Sequence, residues 1–175
     1  MLQNKSFVLL DAARMGAEID TAKALNPDFI SLFRGKNEEP LDLVAPFLFP
    51  FNPLSEFANW FLKTGWGNSW GVLFTSPTEI NVLVKHFQQK LFVKTADRGA
   101  FYFRFYDPRV LRVFIPACDQ QQLQEFFSPL HCFICEADDP VMGSSLLLEA
   151  GKLRSEMISK DDVRNYLINA ERQLK

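Results

Sequence analysis

A chain of 175 residues is long enough for one well-buried core, and a hydrophobic share of 47% with 18 Phe excludes a disordered protein in favour of one packed on apolar rings. A formal net charge of -2 argues against a general binder of nucleic acid or membrane surfaces, since both need a broad cationic face. No window approaches the ~18 apolar residues of a membrane span, the start of the chain lacks the length and cleavage site of a signal peptide, and an odd number of Cys, three, fits a reducing cytoplasm better than a disulfide framework.

In chain order, Phe7–Leu10 is a short unbroken apolar run, the pattern of a strand buried on both faces of a mixed or parallel sheet. Asp11–Leu25 reads as a loop and a helix, stopped by Asn26-Pro27. Phe29–Phe33 is a second strand, closed by Gly35 and the polar stretch Lys36–Pro40. Leu41–Phe51 is apolar but holds Pro46 and Pro50, which cannot donate to a ladder, so a short edge strand is expected. Leu54, Phe57, Ala58, Phe61 and Leu62 recur at helical spacing with Ser55 or Asn52 as the cap.

Gly65–Gly71 breaks that helix and leads to a buried strand over Trp70–Phe74. Pro77 at a first helical position then opens a segment striped by Ile80, Leu83, Val84 and Phe87, giving a βαβ-like rhythm. Leu91–Thr95 and Ala100–Tyr106 are two β-rich runs joined by the hairpin composition Ala96-Asp97-Arg98-Gly99. In the second run Phe101, Phe103 and Phe105 alternate with Tyr102, Arg104 and Tyr106. Asp107-Pro108 makes a strand-to-helix corner, with Asp as cap and Pro at the position that has no N–H to lose.

The helix that follows is expected to bury Val110, Leu111 and Phe114 before Pro116. Asp119 caps another through Leu123, Phe126 and Phe127, and His131–Glu136 returns as a strand. From Asp138 an acidic turn leads to a candidate strand at Leu146–Glu149, Ala150-Gly151, a capping-box pair Ser159 and Asp162, and a helix striped by Val163, Tyr166, Leu167 and Ala170. These elements predict an α/β fold: one mixed β-sheet flanked by helices in a single compact domain over 1–137. A C-terminal extension over 138–175 ends in a helix at about 160–174 that docks as a short appendage.

Charge is unevenly spread. Lys85–Arg112 holds seven bases against two acids, and Asp11–Glu56 holds eight acids against four bases. Such polarity suits an oriented protein partner, or else ordinary solvated faces.

No constellation for catalysis emerges. Cys132 and Cys135 have redox or zinc spacing, but residues three apart on a strand point to opposite faces and no second pair completes four ligands, so both are expected to be buried and structural. His86 is expected to be packed or exposed rather than a general base. Gly65, Gly67 and Gly71 precede a strand instead of following one, the wrong topology for a phosphate cradle. Arg98-Gly99 with Phe101, Tyr102, Phe103 and Phe105 imitates the stacking strand of an RNA-recognition motif, but Ala100 stands where that pattern wants an aromatic. Asp11, Arg14, Arg104, Asp107 and Arg109 could form a charged cluster at strand ends, either an ion-pair network or a binding site.

Three blocks carry a family resemblance: Leu9-Leu10-Asp11-Ala12-Ala13-Arg14, then Trp66-Gly67-Asn68-Ser69-Trp70-Gly71-Val72-Leu73, then Phe103-Arg104-Phe105-Tyr106-Asp107-Pro108-Arg109-Val110-Leu111. In order and spacing the stretch from Phe7 to Glu136 resembles the domain-of-unknown-function family of type VI secretion effector adaptors, often called Tap or Tec chaperones. The resemblance implies a bacterial cytoplasmic adaptor, encoded beside a toxic effector and a valine-glycine-repeat spike protein, that holds the effector and helps load it on the spike. It implies no enzyme activity and no cofactor; the net charge of -2 leads to the expectation of no nucleic-acid or membrane partner, and the cysteine spacing to that of no metal.

Partner contacts are then expected at Asp11, Arg14, Trp66, Tyr102, Arg104 and Arg109, with Trp70, Phe103, Phe105, Asp107 and Pro108 as structural motif residues. An exposed sheet edge or a hydrophobic groove is the expected mode of recognition. The alternative function is a single-stranded RNA-binding domain using the aromatic strand. One departure from the family is that many members carry a larger helical C-terminal lobe, whereas about forty residues follow Glu136 here.

Overall fold

The computed structural model describes residues 3–33, 43–95 and 99–173. Strand β1 (Lys5–Asp11) forms from the first apolar run and leads into two short helices, α1 (Ala12–Met15) and α2 (Glu18–Leu25). After β2 (Ile30–Ser31) and β3 (Pro46–Pro50), helix α3 (Glu56–Trp60) continues as a π-helical turn over Phe61–Gly65. Next come β4 (Gly71–Ser76), α4 (Ile80–Lys90), and the ribbon β5 (Phe92–Thr95) and β6 (Gly99–Tyr102). Helices α5 (Pro108–Ala117) and α6 (Gln120–Phe127) precede β7 (Cys132–Glu136), β8 (Met142–Glu149) and β9 (Lys152–Ser159), and a 3-10 turn enters α7 (Val163–Arg172).

Seven strands form one sheet in the order β2-β3-β1-β4-β7-β8-β9, and β5 and β6 form a separate two-stranded one. Among the described strands every pairing is antiparallel. The α/β class, the helix-flanked sheet and the C-terminal helix agree with the sequence. The βαβ-like rhythm does not, because no parallel pair joins the helix-separated strands.

The apolar run in β1 reflects two-sided burial instead. Val8 and Leu10 share one core with residues of α1, α2, α3 and α7, while Phe7 and Leu9 share the other with α4, α5 and α6. Each face of the sheet therefore removes its own set of side chains from water, the dominant favourable contribution to folding.

Several local expectations are corrected. β3 is not an edge strand: it lies between β2 and β1, and Pro46 and Pro50 stand at its two ends, where a missing N–H interrupts little of the ladder. Helix α4 begins at Ile80 with Glu79 in the capping position, so Pro77 lies outside it. β6 stops at Tyr102, and Phe103–Asp107 leave the strand as a turn in which Phe105 and Tyr106 are both buried. The strict alternation expected there fails for that reason. In α5 the buried residues are Pro108, Leu111 and Ile115 in place of Val110 and Phe114, and Pro116 falls within the last helical turn.

The segment after residue 137 supplies more than a short strand and an appended helix. β8 pairs with β7 from Cys132↔Leu147 to Glu136↔Gly143, and β9 pairs with β8 along eight positions. Helix α7 buries Val163, Leu167 and Ala170 in the same core as Val8 and Leu10. The loop expected over Gly35–Pro40, the beginning of the Leu41–Phe51 run and the Ala96-Asp97-Arg98 turn lie outside the described residues.

Candidate functional site

The three blocks of the resemblance meet at one end of the sheet. Asp11 closes β1 with a fully buried side chain. One of its carboxylate oxygens accepts from the Arg14 backbone N–H at 3.3 Å, capping α1, and the other pairs with the Arg104 guanidinium. Its own N–H donates to the Trp70 carbonyl at 2.8 Å, and Arg14 Nε donates to the Asn68 carbonyl at 3.1 Å. The first block thus grips both others.

Asp107 caps α5 as the sequence predicts, accepting from the Arg109 N–H at 3.0 Å. It also takes a forked ion pair from Arg109, at 3.0 Å from Nε and 2.6 Å from Nη2. Burial alone would raise the Asp107 pKa, but the bonds and charge of Arg109 outweigh it and hold the carboxyl below its ordinary value. Tyr102 and Tyr106 share a hydroxyl–hydroxyl bond of 2.9 Å, and burial pushes the Tyr106 phenol well above its ordinary range.

A fourth participant was not read from the sequence. Glu136, at the end of β7 and nearly buried, accepts from the Gly67 N–H at 2.6 Å, and from the Ser69 N–H at 2.9 Å and hydroxyl at 3.0 Å. Trp66 Nε1 donates to the Pro140 carbonyl at 3.0 Å, and Arg112 bonds both the Glu136 carbonyl and the Asp138 carboxylate. Ser69 adopts a positive φ of 56° within this loop. The signal in the sequence was only a lone acid ending an apolar strand, where an acid needs donors to be buried.

The predicted contact residues therefore divide. Asp11 and Trp66 are buried and act from within. Arg14, Tyr102, Arg104 and Arg109 keep exposed surface at this end. Of the structural residues, Trp70, Phe105, Asp107 and Pro108 are buried and Phe103 is half-buried.

Beside Arg109 the end of the sheet opens into a groove of about 690 Å³ between α5 and the β8–β9 hairpin. Val113 and Pro116 form the α5 wall, Met142, Leu146 and Met157 the sheet wall, and Arg109, Arg112, Asp138 and Asp139 the charged mouth. Val113 is 74% exposed and Met157 55%, so much of this lining faces water. The polar composition of β9 concealed it: Lys152–Ser159 alternates around Leu153, Ser155 and Met157, and Ala150-Gly151 marks the hairpin turn.

A second open surface is the β5–β6 ribbon, where Phe92, Val93, Phe101 and Tyr102 are each partly exposed. Beneath it a hollow of about 290 Å³ is lined by Lys90, Phe103, Phe114 and Phe126, among others. Phe105 is withdrawn from this surface into the core, stacked on Phe87 at 5.4 Å between centroids.

Elsewhere Cys132 and Cys135 are buried, and His86 and Cys118 are half-buried. Cys132 and Cys135 are buried on opposite faces of β7, as their spacing requires, and burial pushes the Cys135 thiol up to about 12. His86 shares a hydrogen bond of 3.1 Å between Nε2 and the Phe126 carbonyl, and burial with the nearby Lys90 charge lowers its pKa to about 4. Among the described residues there is no group of three or more His, Cys, Asp and Glu placed to hold a metal ion. None of the described helices is long and apolar enough to cross a membrane.

Over residues 6–125 the chain matches the model of a family described as "Domain of unknown function (DUF4123)". No curated protein and no solved structure matches it.

Proposed function

We propose, since the chain belongs to the DUF4123 family, that it is a non-catalytic adaptor chaperone that binds a type VI secretion effector and helps load it onto the valine-glycine-repeat spike. The family is known in effector adaptors of that system. The observation that carries the reading is the groove beside Arg109. It is apolar along its walls, charged at its mouth and open to solvent, the form in which a protein segment is gripped by side-chain pockets with a polar rim.

The convergence of the blocks supports the same division of labour. Asp11, Glu136 and Asp107 spend their acceptors on the protein's own backbone and arginines. Asp11 ties the turn before α5 to the end of β1 through Arg104, Arg112 of α5 bonds the Glu136 carbonyl and the Asp138 carboxylate, and the groove wall follows from that placement. Bases outnumber acids over Lys85–Arg112, which gives the ribbon and α5 a polarity that orients an acidic partner surface.

Co-purification of the full chain with the effector encoded beside it tests the proposal. A stable complex at micromolar concentration is expected, and Val113→Asp is expected to weaken it at least tenfold by placing a charge in the groove wall. No complex with either effector or spike protein would overturn it.

A further inference from the structure

The sheet ends on β9, which has no neighbour on its outer side among the described residues. Eight residues long, without proline or bulge, this edge is guarded by its charged side chains Lys152, Arg154 and Glu156, which an oppositely charged strand would satisfy. Its hydrogen-bonding pattern follows from the turn that precedes it. Ala150 and Gly151 have φ of 48° and 75°, the two positive values of a tight two-residue hairpin turn, so Glu149 and Lys152 form a bonded pair. Alternation along an antiparallel ladder then makes Arg154 and Glu156 bond to β8 and turns the N–H and C=O groups of Leu153, Ser155 and Met157 outward.

From this edge we propose that β9 pairs with β9 of a second copy of the chain, antiparallel, about a two-fold axis through Ser155. In that register Leu153 lies opposite Met157 of the second copy on one face, and Arg154 lies opposite Glu156 of the second copy on the other. The two-fold axis repeats both pairs, so the contact is self-complementary in charge and in apolar surface. Met157, 55% exposed in the single chain, becomes covered.

The charges also select the register. Moving the axis by one residue either way sets Arg154 against Arg154 or Glu156 against Glu156, and like charges directly opposite are destabilising. The pairing costs little within each copy. Arg154 is bonded to Glu149 at 3.2 Å, but both side chains are more than half exposed, and such surface pairs contribute little. Lys152, Arg154, Ser155, Glu156 and Met157 are all exposed, so no helix of the described fold stands in the way.

Sedimentation equilibrium on the full chain alone, up to about 100 µM, tests the inference in the range where a weak dimer populates by mass action. The expected mass is twice the 20.1 kDa of one chain. Arg154→Glu and Glu156→Arg should each raise the dimer dissociation constant at least tenfold, and the double variant, which restores opposite charges across the axis, should return it to within about threefold of the original. Ser155→Pro removes an outward N–H that the single chain does not use, and should leave a folded monomer by circular dichroism. A wild-type chain that stays monomeric overturns the proposal, even if an effector strand later takes the edge. So does a dimer that the charge reversals leave intact. Because no effector is present, the adaptor reading stands or falls separately.

Discussion

The groove and the junction of strands beside it differ in what their polar groups are doing. At the junction of β1, β4 and β7 the buried acids Asp11 and Glu136 are bonded to backbone and arginine donors, and Trp66 and Trp70 are packed beneath them. Along α5 and β9 the reverse holds: Val113 and Met157 face water, and the outer row of β9 backbone has no strand beside it among the described residues. Closed polar networks fix a fold, whereas open apolar and edge surface is where binding energy is still available. The blocks that identify the family belong to the first kind, and the groove and edge to the second.

The sharpest way to break the closed side is at Gly71. A Cβ there would sit 1.9 Å from the Leu9 carbonyl oxygen, so β4 could not approach β1. Gly71→Val should cost about 4 kcal/mol or more, or prevent folding outright, as read by urea denaturation. Next in size is Glu136→Ala, which strands the Gly67 and Ser69 donors. A loss of about 3 kcal/mol is expected from the same measurement.

His86 offers a test through pH. Its folded pKa of about 4 lies below the ordinary 6.5, so between those values the unfolded chain binds the extra proton and stability rises with pH. Acidifying from 6.5 to 4 should therefore remove about 1 to 2 kcal/mol through this residue, after discounting for its partial exposure. The difference between wild type and His86→Gln across that window isolates it from the carboxylates. For Asp107→Ala, loss of the α5 cap should cost roughly 0.5 to 2 kcal/mol, and an unchanged melting curve would contradict the assigned cap. On the open side Val113→Asp should change stability by no more than about 0.5 kcal/mol, because the side chain already faces solvent.

The same contrast explains what was legible in the sequence. Helix caps at Ser55, Asp107 and Asp119 could be read because a cap is a local bond between residues two or three apart. So could the buried strands β1, β4 and β7, whose apolar runs report two covered faces. Glu136 was missed because its donors lie about seventy positions earlier, at Gly67 and Ser69. β9 was missed because five of its eight residues are charged or polar and its register is set by β8 alone. The Phe103–Tyr106 alternation misled for a physical reason: the chain must turn from the ribbon into α5, and the turn buries neighbouring residues Phe105 and Tyr106 together.

In the proposed function the groove between α5 and the β8–β9 hairpin holds the effector, and the junction beside it builds that groove. Isothermal titration of the full chain with the purified effector, for wild type and Val113→Asp side by side, tests this most directly. At least a tenfold loss of affinity with an unchanged melting temperature is the predicted result. Equal affinity for the two proteins, or no binding by either, would contradict it.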